Sequence, residues 1–97
     1  MNKALRNRND VTSIGVVGLG LMGCSIATCL LIAGHKVIAV APIPADLLLA
    51  KKRITAHLKR SFKEKLVKKL PGHYLKNLLI TEDYTALKDC RLVIECT

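Results

Sequence analysis

The chain has 97 residues, a formal net charge of +9 and a hydrophobic content of 51%. This length suits one small domain or part of a larger one, and this hydrophobic content is enough for a buried core. Four cysteines (Cys24, Cys29, Cys90, Cys96) form no C-x-x-C pair and have no histidine at metal-ligand spacing. We interpret them as buried thiols in a reducing, cytoplasmic compartment, which argues against a metal site or a disulfide framework.

Strand-like and helix-like segments alternate along the chain after a polar leader at residues 1–11. The pattern predicts strands at Thr12–Val17, Lys36–Ala41, Leu78–Ile80 and Leu92–Ile94, helices at Leu21–Ala33 and from Ala45 to about Leu70, and a turn or short helix at Asp83–Lys88. Gly34 is expected to close the first helix and Pro71-Gly72 the second. Right-handed crossovers then give the strand order 3-2-1-4.

This β-α-β-α-β-β arrangement predicts a partial Rossmann-type parallel sheet over residues 12–97. Its last strand would leave an open sheet edge, so we expect the chain to be truncated. The uncharged run from Val11 to Gly34 also resembles a membrane span or a signal peptide. However, its glycines crowd one turn region and a second strand follows, so we expect no membrane contact.

The run Gly18-Leu19-Gly20-Leu21-Met22-Gly23 is a G-x-G-x-x-G motif between the first strand and the first helix. In that setting the first glycine allows a sharp turn, the second a close approach of backbone to a pyrophosphate, and the third close packing of helix on strand. We predict that Gly18, Leu19, Gly20, Leu21, Met22 and Gly23 bind the phosphates of a dinucleotide at the positive end of the helix.

The residue that ends the second strand is normally acidic in such domains and accepts a hydrogen bond from the adenosine ribose. Here it is Ala41, followed by Pro42, with no arginine beside it for a 2′-phosphate. The sequence therefore does not decide between NAD and NADP. Asp46 is the nearest acid, and we interpret it as a residue that compensates the dipole of the second helix.

The second predicted helix carries an apolar face and is strongly basic elsewhere. The apolar positions are Leu47, Ala50, Ile54, Leu58, Phe62, Leu66 and Leu70. Residues 51–69 contain nine basic residues and one acid, Glu64. A solvated face is the plain interpretation, and because aromatic side chains for base stacking are few, we expect no nucleic-acid partner.

The glycine run, the following Ala33-Gly34-His35-Lys36-Val37 and the late stretches Thr81–Tyr84 and Leu92–Thr97 resemble the NAD-binding domain of the 3-hydroxyacyl-CoA dehydrogenases. The resemblance implies hydride transfer between NAD and the C3 alcohol of a hydroxyacyl-CoA, an acyl-CoA substrate and a homodimeric full-length protein. It adds Ala41 and Thr97 to the cofactor-binding residues and suggests CoA contacts at His57 and at Lys63 or Lys65. The family's catalytic histidine and glutamate correspond to sequence beyond Thr97, so the catalytic residues stay unknown.

Two alternatives remain open from the sequence. The glycine run is also similar to that of the 3-hydroxyisobutyrate dehydrogenases, although the long helical segment between the second and last strands favours the hydroxyacyl-CoA family. A non-catalytic nucleotide- or anion-binding module is favoured by Ala41 and by the absence of an acid–base pair.

Overall fold

The computed structural model describes residues 13–96, so the predicted leader and Thr97 lie outside the described residues. The strands are β1 (Ser13–Val17), β2 (Lys36–Val40), β3 (Leu78–Thr81) and β4 (Leu92–Glu95). The helices are α1 (Leu21–Ile32), α2 (Pro44–Lys63) and α3 (Pro71–Leu75), and a 3₁₀ helix spans Tyr84–Leu87.

The four strands form one parallel sheet in the order β3-β2-β1-β4, which confirms the predicted topology. Val17 pairs with Val40 on one side and Glu95 on the other, and Val40 pairs with Thr81. The carboxyl ends of all four strands therefore meet at one edge of the sheet. In open α/β sheets this is the edge where ligands bind.

The core lies between one face of the sheet and the helices α1 and α2. It includes Val16, Ala39 and Ala41 from the strand side, Cys24, Ala27 and Leu31 from α1, and Ala50, Ile54 and Leu58 from α2. On the opposite face the 3₁₀ helix covers β1, because a Cβ added at Gly15 would lie 2.5 Å from the side chain of Leu87. Among residues 13–96, no helix combines the length and the apolar character needed to cross a membrane.

Helix α1 ends as the sequence predicts. Gly34 has φ +100°, and the N–H groups of Gly34 and His35 donate to the carbonyls of Leu31 and Leu30 at 3.0 and 3.1 Å. These two bonds form a Schellman motif, in which glycine supplies the left-handed residue at no steric cost.

Helix α2 ends at Lys63, seven residues before the predicted end at Leu70. Lys65 takes a left-handed conformation (φ +61°), and the N–H groups of Lys65 and Leu66 donate to Phe62 and Ser61, which is a second Schellman motif. Leu58 is the last buried residue of α2, and the next residue to reach the core is Val67, after the helix has ended. Leu66 and Leu70 are exposed, and Pro71 starts α3 instead of following a helix end.

The four cysteines are all free thiols, but the expectation that all of them are buried is wrong. Cys24 is fully buried and Cys90 and Cys96 are half-buried, whereas Cys29 is exposed. The reason is helical phase: Cys24 and Thr28 lie on the core side of α1, and Cys29 falls on its solvent side.

Candidate functional site

The candidate site is the glycine turn that joins β1 to α1 at the carboxyl edge of the sheet. Gly18 has φ +95°, a conformation that side chains disfavour, and so permits the sharp exit from β1. Its N–H donates to the carbonyl of Val40 at 3.0 Å, which fixes the turn to the end of β2. The turn is thus held by the sheet before any ligand is present.

Gly23 allows α1 to begin directly against this turn. A Cβ at Gly23 would lie 1.9 Å from the carbonyl oxygen of Gly18, so only glycine permits this approach. Gly20 differs, because a Cβ there would meet no atom within 4 Å. The space above Gly20 is open to a ligand, as the motif predicts for its second glycine.

The first turn of α1 presents unpaired donors to that open space. Gly20 is the N-cap residue, and the first helical bond runs from the N–H of Cys24 to the carbonyl of Gly20 at 3.0 Å. The N–H groups of Leu21, Met22 and Gly23 therefore have no partner within the helix. Neither a capping side chain nor an acidic residue occupies this helix start, so the positive end of the helix dipole is uncompensated. The arrangement fits a pyrophosphate.

The predicted residues of the motif divide into two groups. Leu21 and Met22 are exposed, whereas Leu19 is buried in the core and offers a ligand its backbone alone. The thiol of Cys24 donates to the carbonyl of Leu19 at 3.5 Å. Burial raises the pKa of the Cys24 thiol, and the nearby Arg53 opposes this effect. The thiol therefore stays protonated and can donate its hydrogen bond to the glycine turn.

The end of β2 lacks a polar side chain. Ala41 is 1% exposed, and its N–H donates to the carbonyl of Thr81 at 3.2 Å. The five residues of the run 41–45 are alanine, proline and isoleucine, and the first acid after them is the half-buried Asp46 in the first turn of α2. Ala41 therefore lies at the sheet edge as predicted but offers the ribose no hydrogen-bond acceptor from its side chain.

The three suggested CoA contacts do not come together in one place. His57 lines a groove of about 260 Å³ between α1 and α2, whose wall also includes Cys29, Arg60 and Ser61. Lys63 is the last residue of α2 and Lys65 lies beyond its end, and neither lines this groove. Arg60 is the basic neighbour of His57, and the sequence analysis missed it. The sequence could have indicated Arg60, because residues three apart on a helix, such as His57 and Arg60, lie on the same face.

Clusters of three or more histidine, cysteine or acidic side chains that could hold a metal ion do not occur among residues 13–96.

Comparison with known proteins gives a family match and several similar structures. Residues 13–97 match the family described as "3-hydroxyacyl-CoA dehydrogenase, NAD binding domain". Curated protein sequences give no match. The fold is similar to FadB2 of M. tuberculosis, with a TM-score of 0.81 and 34% identity over 87% of this chain and 30% of that one.

Two further structures are similar at a TM-score of 0.79. One is 3-hydroxybutyryl-CoA dehydrogenase from Escherichia coli K12, with 30% identity over 88% of this chain and 18% of that one. The other is (S)-3-hydroxybutyryl-CoA dehydrogenase PaaH1 from Ralstonia eutropha, with 29% identity over 88% of this chain and 30% of that one. The chain thus spans less than a third of the length of each of these three proteins.

Proposed function

Because the chain belongs to the family of NAD-binding domains of 3-hydroxyacyl-CoA dehydrogenases, we propose that it is the cofactor-binding part of an L-3-hydroxyacyl-CoA dehydrogenase. When bound, NAD supplies the hydride chemistry, accepting hydride from the C3 alcohol of a hydroxyacyl-CoA or, as NADH, returning it. The observation that carries the proposal is the glycine turn, with open space above Gly20 and a backbone contact at Gly23 that excludes any side chain.

The role of this chain is to bind and orient the cofactor. The N–H groups at the start of α1, on Leu21, Met22 and Gly23, point donors at the pyrophosphate, and the helix dipole favours its charge. The bond from Gly18 to Val40 holds these donors in place without the ligand, so less ordering is needed on binding.

Proton transfer at the substrate oxygen needs a general acid–base. Glu95 lies at the carboxyl end of β4, but none of the histidines among residues 13–96 lies at that edge of the sheet. His57 lies in the middle of α2 and His73 in α3, away from the carboxyl ends of the strands. Such proton transfer contributes roughly 10²–10⁴-fold in rate. We expect that the 97-residue chain does not turn over acetoacetyl-CoA, which is measured by the loss of NADH absorbance at 340 nm. Robust turnover would mean that the catalytic residues have been misplaced.

For the substrate we propose an acyl-CoA held in part by the basic surface of α2. CoA is polyanionic, and His57, Arg60 and Lys63 lie on this helix with Lys65 just past its end. Attraction between exposed charges is screened by salt, so affinity for CoA is expected to fall as ionic strength rises from 0.05 to 0.5 M. A salt-independent affinity would contradict this placement.

The test of cofactor binding compares two glycines that are sterically alike. Adding a Cβ at either Gly20 or Gly72 meets no atom within 4 Å, and neither residue has a positive φ. Gly20→Val is expected to weaken NADH binding at least tenfold in a calorimetric titration, because its side chain enters the phosphate space. Gly72→Val, in α3, is the control and leaves the affinity unchanged. Equal affinities for folded Gly20→Val and wild type would contradict the proposal.

A non-catalytic module that binds anions at the same turn is the second candidate function, favoured by the buried alanine at the end of β2. It predicts that inorganic pyrophosphate competes with NADH at equal affinity, since the nucleoside would add nothing.

We propose further a reducing, cytoplasmic location, in keeping with four free cysteines, and a homodimeric full-length protein, as the family resemblance implies. Fractionation of cells and light scattering of the full-length protein test these two points.

A further inference from the structure

The carboxyl end of β2 carries no carboxylate, the group that distinguishes the two nicotinamide cofactors, and we infer that this domain binds NAD and NADP with nearly equal affinity. The inference rests on the proposed function, because it concerns the ribose next to the pyrophosphate that the glycine turn holds. It assigns a specificity-determining role to Ala41 and Pro42.

An acid at the end of the second strand acts in two ways in a dinucleotide domain. Its carboxylate accepts a hydrogen bond from the ribose 2′-OH, which favours NAD. Its negative charge also repels the 2′-phosphate of NADP, and at a few ångströms that repulsion is strong when the site is partly buried. Both effects require a carboxylate, and Ala41 supplies none.

The surrounding residues do not replace the missing carboxylate. Pro42 has no N–H group, and Ile43 carries an apolar side chain, so the start of the β2–α2 connection offers neither a charge nor a side-chain acceptor. Asp46 is half-buried in the first turn of α2, where its charge compensates the helix dipole. The side chain of Ala41 is buried against the core and adds no polar group at this edge of the sheet.

The electrostatic setting does not restore discrimination either. The chain carries a net charge of +9, and the second half of the connection leads into a helix with Lys51, Lys52 and Arg53. The electrostatic field of this positively charged chain therefore attracts the 2′-phosphate of NADP and does not repel it. None of these three side chains belongs to the β2–α2 connection, so no arginine follows β2 directly; Arg53 instead lies close to the Cys24 thiol.

The expected result is a small ratio of dissociation constants. Loss of a charge-assisted hydrogen bond corresponds to roughly 10- to 150-fold in affinity, and this is the preference for NAD that an acid would provide. For the wild-type chain, calorimetric titrations with NADH and NADPH at 0.15 M salt are expected to give dissociation constants within threefold of each other. A larger ratio in either direction would overturn the inference.

Variants separate this inference from the proposed function. Pro42→Arg, at an exposed position, is expected to strengthen NADPH binding about tenfold more than NADH binding, since an arginine there can pair with the 2′-phosphate. Leu70→Arg adds the same charge at an exposed site outside the cofactor edge and is the control. Ala41→Asp is expected to strengthen NADH and weaken NADPH binding; it is judged after circular dichroism confirms its fold, because position 41 is buried.

Three outcomes would contradict different claims. If Gly20→Val weakens NADH binding as expected but the wild type binds NADPH more than threefold more weakly than NADH, the specificity inference fails and the proposed function stands. If neither dinucleotide binds, both fail together. If Pro42→Arg strengthens NADPH binding no more than Leu70→Arg does, the ribose does not lie at the end of β2, and the inference fails.

Discussion

Replacing Gly23 by alanine should destabilise the fold, whereas the same change at Gly20 should affect binding instead. The added methyl group at Gly23 would lie 1.9 Å from the carbonyl oxygen of Gly18, a backbone atom, while Cβ atoms stay at least 3.0 Å from such neighbours. Helix α1 and the turn must therefore separate by about 1.1 Å, the difference between these two distances. Forced displacement in a packed region typically costs about 1–3 kcal/mol.

The assay is thermal unfolding of the two alanine variants, followed by circular dichroism, together with NADH titration. For a domain of this size each 1 kcal/mol lowers Tm by roughly 4–8 °C, so Gly23→Ala is expected to lower Tm by at least about 4 °C. Gly20→Ala loses part of an N-cap preference, worth less than about 1 kcal/mol, and should lose NADH affinity while it keeps its fold. An unchanged Tm for Gly23→Ala would refute the close contact between α1 and the turn.

Three further predictions follow from individual residues. Lys65→Gly should stabilise the chain by about 1 kcal/mol, since glycine tolerates φ +61° better than lysine; a lower Tm would contradict the left-handed helix end. Iodoacetamide should label the exposed Cys29 before Cys24, whose pKa burial raises, and peptide mass mapping that shows the reverse order would contradict the phase of α1. Hydrogen bonds from Thr85 lower the pKa of the Asp83 carboxyl, so its carboxylate stabilises the native state above pH about 4. The stability difference between wild type and Asp83→Ala, measured by urea unfolding, should shrink as pH falls below that value, and a pH-independent difference would count against this contact.

The strand order and the glycine turn could be predicted from the sequence because they depend on local and topological rules. Continuous apolar runs identify buried parallel strands, and the handedness of crossovers then fixes the order β3-β2-β1-β4. Gly34 was predictable as a helix end for a similar reason, since its left-handed conformation is a property of glycine itself.

The end of α2 was not predictable in the same way. The apolar spacing continues through Leu66 and Leu70, but periodicity does not reveal how far the core extends. Leu58 is the last buried residue of α2, and the chain turns before Val67 packs into the core. The left-handed residue at this helix end is Lys65, whereas a glycine there would have been recognisable in the sequence. The exposure of Cys29 was missed because composition indicates that thiols are buried on average, without giving the helical phase of each one.

The site itself was partly predictable. The motif gave the residues of the turn, but the sequence could not show that the side chain of Leu19 packs into the core while Leu21 and Met22 face solvent. The pairing of His57 with Arg60 in one groove also required the structure, because it depends on how α1 and α2 pack together.

The measurement that tests the central claim most directly is a titration of the ¹⁵N-labelled chain with NADH, followed by amide chemical shifts. If the glycine turn holds the pyrophosphate, the largest shifts should occur at the amides of Gly18 to Cys24, where the unpaired N–H groups of α1 begin. Smaller shifts should occur near Ala41 at the end of β2. Shifts confined to the basic residues 51–69, with the glycine amides unchanged at saturation, would contradict the claim that this turn is the cofactor site.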